Sequence, residues 1–423
     1  MHVLTLVLFL VAATFAQDLT ETQISNVKAR LAEGAKASWE LGTRAEALLE
    51  HDASDFSVFH SPLPPSQSIP SNTQSGLTPV LSIAKNVVSN RASSNQNVVG
   101  PQPLMADGSA ADPASIGVAV LLANWTKQGG GDYAGAAKDQ LDFLYQKVPK
   151  ASNGAISHRT EDVQLWSDYV YMVPPFLAFY GALSQNKSLM SDAYTQIKLY
   201  RDTLRDTKAN NLWKHIVLPS GGGGKPDNGH WSTGNAWAAA GMIRVLATIQ
   251  NSQFTNDFKN ERDDLSNWIS EIHGGMYSHL DSTSIFTNYA DVSASSSGSF
   301  HDGSGTALLA STVYRLSLLR GVHRYLPSAE NSRKALFASS SNGSLEHFTS
   351  DGWLTPVVNP HAFGEQGAHS PEGQAFVLEM RAAWKEWVED GSKGANSARA
   401  TDVTFGLGWG NVVVVLAVTM MLL

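Results

Sequence analysis

The character of the helical segments constrains this chain most. Apolar residues recur at helical spacing over 21–50, 76–92, 113–128, 131–147, 163–184, 188–206, 233–250, 256–271, 302–319, 326–340 and 371–388, with Gly, Ser, Pro and Asn between. Segment 188–206 is amphipathic, carrying Lys198, Arg201, Asp202 and Arg205. Segments 163–184, 233–250 and 302–319 are apolar almost all round, and a helix without a polar face is buried on every side. In the second half the two kinds alternate. The apolar helices begin near residues 232, 302 and 371, a weak repeat of helix hairpins with long connectors. Alternating buried and surface helices predict an inner ring wrapped by an outer one: an all-α fold, an (α/α)6 barrel with up to six hairpins. Eleven segments leave one helix unaccounted for. The Ser- and Pro-rich stretch 52–75 reads as loop.

Both ends carry addresses rather than fold. An apolar run from Val3 to Ala13, followed by Thr14-Phe15-Ala16, reads as a signal peptide over 1–16. Val412 to Leu423 is apolar apart from Thr419 and too short for a comfortable membrane span. A cluster of small residues at Gly394–Ala398 and a spacer precede it. Region 391–423 therefore reads as a GPI-anchor signal, with attachment near Asn396 and the tail removed. Sequons at Asn124, Asn186 and Asn342 fit a secreted chain. The expectation is a catalytic barrel over 17–390, extracellular and held at the cell surface, touching the membrane through a lipid anchor only.

The net charge of −8 argues against a nucleic-acid partner, which calls for a strongly basic face. Cysteine is absent, so there is no disulfide, thiolate metal site or cysteine nucleophile. The 13 histidines show no metal-binding spacing on one helix, and neither metal nor cofactor is expected. Alternate helices of a ring run the same way, so the inner N-termini share one end, where unpaired N–H groups and the positive dipole suit anions. Ala111-Asp112-Pro113, Trp166-Ser167-Asp168, His230-Trp231-Ser232, His301-Asp302-Gly303 and His369-Ser370-Pro371-Glu372 precede the inner helices. Trp, His and carboxylate thus gather at one mouth, the expected site.

Asp168 is an isolated carboxyl in an aromatic and aliphatic run from Val163 to Phe176. Desolvation there would raise its pKa and suit a general acid; the competing role is a helix N-cap. Asp112, before Pro113, has the pattern of an N-cap with Pro at the first helical position. Asp112 or Asp107 is also a candidate second carboxylate across a bound sugar. Trp231, beside His230, is expected at the rim, where indoles bind the apolar faces of sugars. Trp237 follows Asn235 inside the helix and suits core or contact. Trp213-Lys214-His215 leads to Gly221–Gly224, a lid or a plain linker.

These stretches resemble the six-hairpin glycosidases, in particular glycoside hydrolase family 105 and the related family 88. The resemblance rests on Trp166-Ser167-Asp168 through Met172, Pro175-Phe176-Leu177-Ala178, Trp213-Lys214-His215, Trp231-Ser232-Thr233-Gly234-Asn235-Ala236-Trp237-Ala238 and Ser304-Gly305-Thr306-Ala307, and spans roughly residues 100–390. It implies an (α/α)6 barrel that removes the 4,5-unsaturated uronic acid left at a chain end by a polysaccharide lyase, beginning with hydration of the double bond. It implies Asp168 as catalytic acid and Asp112 as the second carboxylate; together with the residues gathered at the mouth, Trp166, Trp213, His215, His230, Trp231, Asn235, Trp237 and His301 are the expected substrate-binding residues. One departure stands out: Thr233 occupies the place of the Arg in the family's Trp-x-Arg-Gly-Asn pattern. Two alternatives remain: an inverting six-hairpin glycosidase acting on saturated cell-wall sugar, and a non-catalytic carbohydrate-binding surface protein.

Overall fold

The computed structural model describes residues 17–65, 74–219 and 222–396. The expected signal peptide, and the anchor tail beyond residue 396, lie outside the described residues. Twelve helices run in order among them: α1 Glu21–Gly34, α2 Ser38–Asp52, α3 Gln74–Ser94, α4 Gly117–Trp125, α5 Tyr133–Gln146, α6 Tyr169–Leu183, α7 Lys187–Leu204, α8 Ser232–Asn251, α9 Lys259–Tyr277, α10 Gly303–Arg320, α11 Leu326–Leu336 and α12 Pro371–Glu389. The expected single helix over 21–50 is two. Ala35-Lys36-Ala37 separates them, and the Glu40 carboxylate accepts from the N–H groups of Lys36 and Ala37 at 2.8 and 2.9 Å, capping the start of α2. That split supplies the twelfth helix.

The even-numbered helices form a closed inner ring. In order, α2, the 3₁₀ turn Asp112–Ile116 that leads into α4, α6, α8, α10 and α12 each pack on the next, and α12 returns to α2. The odd-numbered helices pack outside, with α1 against α12, so the two ends of the barrel chain meet. Asp18 and Arg381 join them through hydrogen bonds of 2.8 and 2.9 Å. Helices α6, α8 and α10 are buried along nearly their whole length, as their composition demands. Inside α6, Pro174 and Pro175 lack the N–H groups that would bond the Val170 and Tyr171 carbonyls. Gly241 of α8 lies against the Val170 carbonyl, a place where a Cβ would collide.

Strands are few: β1 Leu165–Trp166, β2 Arg205–Asp206, β3 Leu212–Trp213, β4 Ile216–Val217, β5 Val357–Asn359 and β6 Ala362–Gly367. They pair antiparallel as β1–β4, β2–β3 and β5–β6. The β5–β6 hairpin has no counterpart in the helical pattern of the sequence. Its turn, Pro360-His361, reaches the mouth of the ring. Among the described residues no helix is long and apolar enough to cross a membrane. The sequon residues Asn124, Asn186 and Asn342 are all exposed.

Candidate active site

At the mouth lies a cavity of about 240 Å³. Its wall carries the carboxyls of Asp112, Asp168 and Glu372, the indoles of Trp39, Trp166, Trp231 and Trp237, and the guanidinium of Arg159. Asp168 stands at the N-cap position of α6 but its side chain caps nothing. The Ser167 hydroxyl donates to its carboxylate at 3.2 Å, and His215 Nε2 faces it at 3.4 Å. Asp112 is not the expected N-cap but the first residue of its 3₁₀ turn, with Ala111 at the cap position. His158 Nε2 lies 3.6 Å from its carboxyl. The two carboxyls that a helix cap would have consumed are free to face the cavity.

Each carboxyl has a histidine neighbour, yet the pairs differ in charge. His215 is buried, which opposes its protonation, but Asp168 holds one ring nitrogen and Asp227 the other, at 2.9 Å; together they raise its pKa. Burial alone would raise the Asp168 pKa, and the His215 imidazolium outweighs it, so Asp168 is held below the usual carboxylate range. His158 Nδ1 has no hydrogen-bond partner among the described residues, and burial pushes the pKa of the ring down to about 3 against the charge of Asp168. Asp112 therefore has a neutral neighbour. Burial, with the charges of Asp107 and Asp168, holds its pKa well above the carboxylate range. The elevation expected at Asp168 is found at Asp112 instead. Burial, with Glu40 nearby, also holds the Glu372 pKa well above the carboxylate range.

The aromatic walls are ordered by their own partners. Trp166 stacks on His158 with ring centroids 4.8 Å apart, and its N–H donates to Gln164 at 2.8 Å. Trp231 donates to Asn288 at 2.9 Å. Phe363, on β6, sets its ring edge-on to His215 at 4.4 Å. Arg159 lies over Trp166, and among the described residues no carboxylate is within ion-pairing distance of its guanidinium. Gly222–Gly224 packs behind this wall: Gln164 donates to the Gly223 carbonyl at 2.9 Å, and Gly222 abuts the Val163 carbonyl.

Several expected substrate contacts lie elsewhere. Trp213 is fully buried and off the cavity. Asn235, also fully buried, clamps the Trp213 backbone, accepting from its N–H at 2.8 Å and donating to its carbonyl at 2.9 Å. The pair fixes the strand that aims His215 at Asp168. His215 itself stands behind Asp168. His230 is paired with Asp291 at 2.7 Å, and His301 with Asp281 at 2.9 Å; neither lines the cavity. Asp107 accepts from the Ser38 hydroxyl and the Ser109 N–H, a structural position. Thr233 donates to Asp302 at 2.5 Å, and Asp302 caps α10 at Ser304 and Gly305. Trp166, Trp231 and Trp237 line the cavity. Trp39, His158, Arg159, His361 and Phe363 join them without sequence warning. Trp39 was hidden by reading 21–50 as one helix; the rest sit in connectors without periodicity.

No curated protein matches the chain by sequence. The fold recurs in a possible family 105 glycoside hydrolase from Salmonella enterica, with 15% identity over 86% of this chain and 93% of that one and a TM-score of 0.64. It recurs in an unsaturated glucuronyl hydrolase from Bacillus sp. GL1, responsible for glycosaminoglycan degradation, with 14% identity over 88% and 96% and a TM-score of 0.56. A family 76 α-1,6-mannanase from Salegentibacter sp. shares it at 10% identity over 86% and 98%, with a TM-score of 0.55. The model of Glycosyl Hydrolase Family 88 matches residues 76–352, which includes the segments carrying Asp112, His158, Asp168 and His215. With a closed ring of helix hairpins, a pair of unlike carboxyls at its mouth and that match over more than half its length, the chain belongs to glycosyl hydrolase family 88.

Proposed function

We propose that this glycoside hydrolase releases 4,5-unsaturated uronic acid from the ends of lyase-cut acidic oligosaccharides. The geometry that supports the reading is Asp112 and Asp168 facing one cavity with their pKa values pushed apart, the first up and the second down, beside Arg159, whose guanidinium has no carboxylate within ion-pairing distance among the described residues. Environments that push two carboxyl pKa values apart assign acid and base. Asp112 delivers its proton to C4 of the sugar's double bond. Asp168 takes a proton from the water whose oxygen bonds to C5. The resulting hemiketal opens as the C5–O5 bond breaks, leaving a C5 ketone and a hydroxyl on C1. Collapse of that hemiacetal frees the remaining chain with the glycosidic oxygen. The proton on Asp168 then returns to Asp112. Arg159 is suited to the substrate carboxylate through its planar fork of donors, taking the part that Thr233, engaged with Asp302, does not.

The test is a panel of lyase-digested pectin, glucuronan and glycosaminoglycan fragments, followed by loss of the unsaturated chromophore. Turnover is expected on at least one, and Arg159→Leu is expected to raise KM. Thr233 in place of the family's Arg favours a second reading, inverting hydrolysis of a saturated glycoside by the same carboxyls. Reaction in ¹⁸O-water separates the two: hydration labels the C5 keto oxygen at short times, whereas the second reading labels the anomeric carbon. We also propose a secreted chain, glycosylated at its exposed sequons and held by a lipid anchor. Phosphatidylinositol-specific phospholipase should release it from cells, and finding Leu423 in the mature chain would overturn the anchor.

A further inference from the structure

We propose that the groove between α1 and residues 344–352 seats an N-linked glycan carried by Asn342, with its first two N-acetylhexosamine rings packed on Phe348. The inference rests on the reading of the chain as secreted and glycosylated. The groove measures about 420 Å³. That lies within the roughly 300–1,000 Å³ range of clefts that enclose small ligands. Its lining divides by chemistry. Leu345 and Phe348 supply apolar surface, while Gln23, Asn26, Ser344 and Thr349 supply amides and hydroxyls. Among the described residues no charged side chain lines it. A neutral sugar, with an apolar ring face and polar edges, matches that lining.

The sequon Asn342-Gly343-Ser344 reaches this groove through its own last residue. Residues 340–344 form a tight turn. The Ser340 N–H donates to the Ser344 carbonyl and the Gly343 N–H to the Ser340 carbonyl, both at 2.9 Å, with Gly343 at φ +84°. The Asn342 amide oxygen accepts from the Ser344 N–H at 3.0 Å and from the Ser344 hydroxyl. Ser344 therefore lines the groove and holds the amide at its edge. Asn342 is exposed, and among the described residues its Nδ2 donates to no group. Glycan transfer joins that nitrogen to C1 of a lipid-diphosphate-linked N-acetylhexosamine. The C1–O bond breaks, the diphosphate leaves with the lipid, and the amide gives up one proton. The far wall is fixed without the sugar. Gln374 of α12 donates to the Gly352 carbonyl at 2.9 Å and accepts from the Leu354 N–H at 2.7 Å. Gly352, at φ +98°, approaches α1 so closely that an added Cβ would stand 3.0 Å from the Asn26 Cβ. Rings seated there bridge α1 to the segment that leads into β5.

The experiment uses the full chain expressed in a eukaryotic host that makes oligomannose glycans, with occupancy of each sequon read by mass spectrometry. The native protein is then treated with an endoglycosidase that cuts between the two innermost sugars. Asn186 serves as the reference, an exposed sequon that caps α7 by accepting from the Ser188 and Leu189 N–H groups at 3.0 and 3.4 Å. Release at Asn342 should be about tenfold slower than at Asn186, the size of one ring contact with a hydrogen bond. After denaturation the two rates should match. Asn26→Ala, at an exposed position, and Phe348→Leu, which keeps apolar volume and loses the flat face, should each narrow the gap without changing occupancy. Equal release at the two sites, a gap that neither variant narrows, or an empty Asn342 beside an occupied Asn186 overturns the seat and leaves the secreted reading intact. A chain that is not secreted, or that carries no glycan at any sequon, overturns that reading and the seat with it.

Discussion

At the scale of single residues, two carboxyls of the same chemistry are made unlike by their second neighbours. The His215 pKa is raised because Asp168 and Asp227 hold its two ring nitrogens; the His158 pKa is lowered by burial, and among the described residues nothing holds its far nitrogen. Asp168→Asn should fold and lose turnover by at least the 10²–10⁴-fold typical of general acid–base catalysis, roughly, in a chromophore assay. A folded variant with wild-type turnover removes Asp168 from the chemistry. Asp227 acts at one remove, anchored by the Tyr289 hydroxyl at 2.7 Å. Asp227→Asn lowers the His215 pKa, which weakens the cation beside Asp168 and lets its pKa rise. The acid limb of kcat/KM against pH should move upward by about one unit, and Asp227→Glu should restore it in part. A limb that stays in place would separate Asp227 from the site. The sequence showed that Asp168 was an isolated carboxyl among apolar residues. It could not show the direction of the shift, because Asp227 lies 59 positions away and meets Asp168 only through His215.

At the scale of elements, the inner ring was legible because burial on all sides leaves a helix with no polar face. The starts of α8, α10 and α12 fall at Ser232, Gly303 and Pro371, close to the expected steps. The break between α1 and α2 was marked only by Gly34, the last residue of α1, a glycine that a continuous helix can also carry; Ala35-Lys36-Ala37 has no capping side chain, and the cap comes from Glu40, inside the second helix. Nor was the β5–β6 hairpin, whose exposed β6 lacks apolar alternation. Its Phe363 stands between solvent and His215, and the Asn288 amide holds its carbonyl at 2.8 Å. Water admitted there screens the His215–Asp168 pair. Phe363→Ala should cut kcat/KM roughly tenfold, with Phe363→Leu intermediate because it refills most of the space. Wild-type kcat/KM in the alanine variant would show the hairpin to be a passive wall.

At the scale of the whole molecule, the ring is closed around buried charge as well as apolar surface. Arg244 on α8 meets Glu50 of α2 at 2.6 Å and Glu379 of α12 at 3.0 Å, with Glu46 at 3.6 Å; Tyr171 of α6 donates to Glu379 at 2.9 Å; and Arg315 of α10 meets Glu50 at 3.0 Å. Five inner helices are thereby joined beneath Trp237, whose ring lies on Tyr171 at 4.2 Å. Burial raises the pKa of Glu46 to about 7 against the pull of Arg244. A carboxyl raised from 4.5 gives its stabilisation fully below pH 4.5 and loses it as the pH climbs to about 7. Burial lowers the His273 pKa to about 3, so its contribution has the opposite slope, present above pH 6.5 and lost as the pH falls toward 3. Each titrating group contributes a slope of about 1.4 kcal/mol per pH unit within its window. Glu46→Gln removes one descending contribution: measured against wild type at each pH, its melting temperature should improve as pH rises from 4.5 to 7. His273→Phe removes one ascending contribution, and its difference from wild type should worsen as pH rises from 3 to 6.5. Differences flat in pH for both variants would show that neither group changes its protonation between the folded and unfolded chain, and that the ring closes on fixed charges.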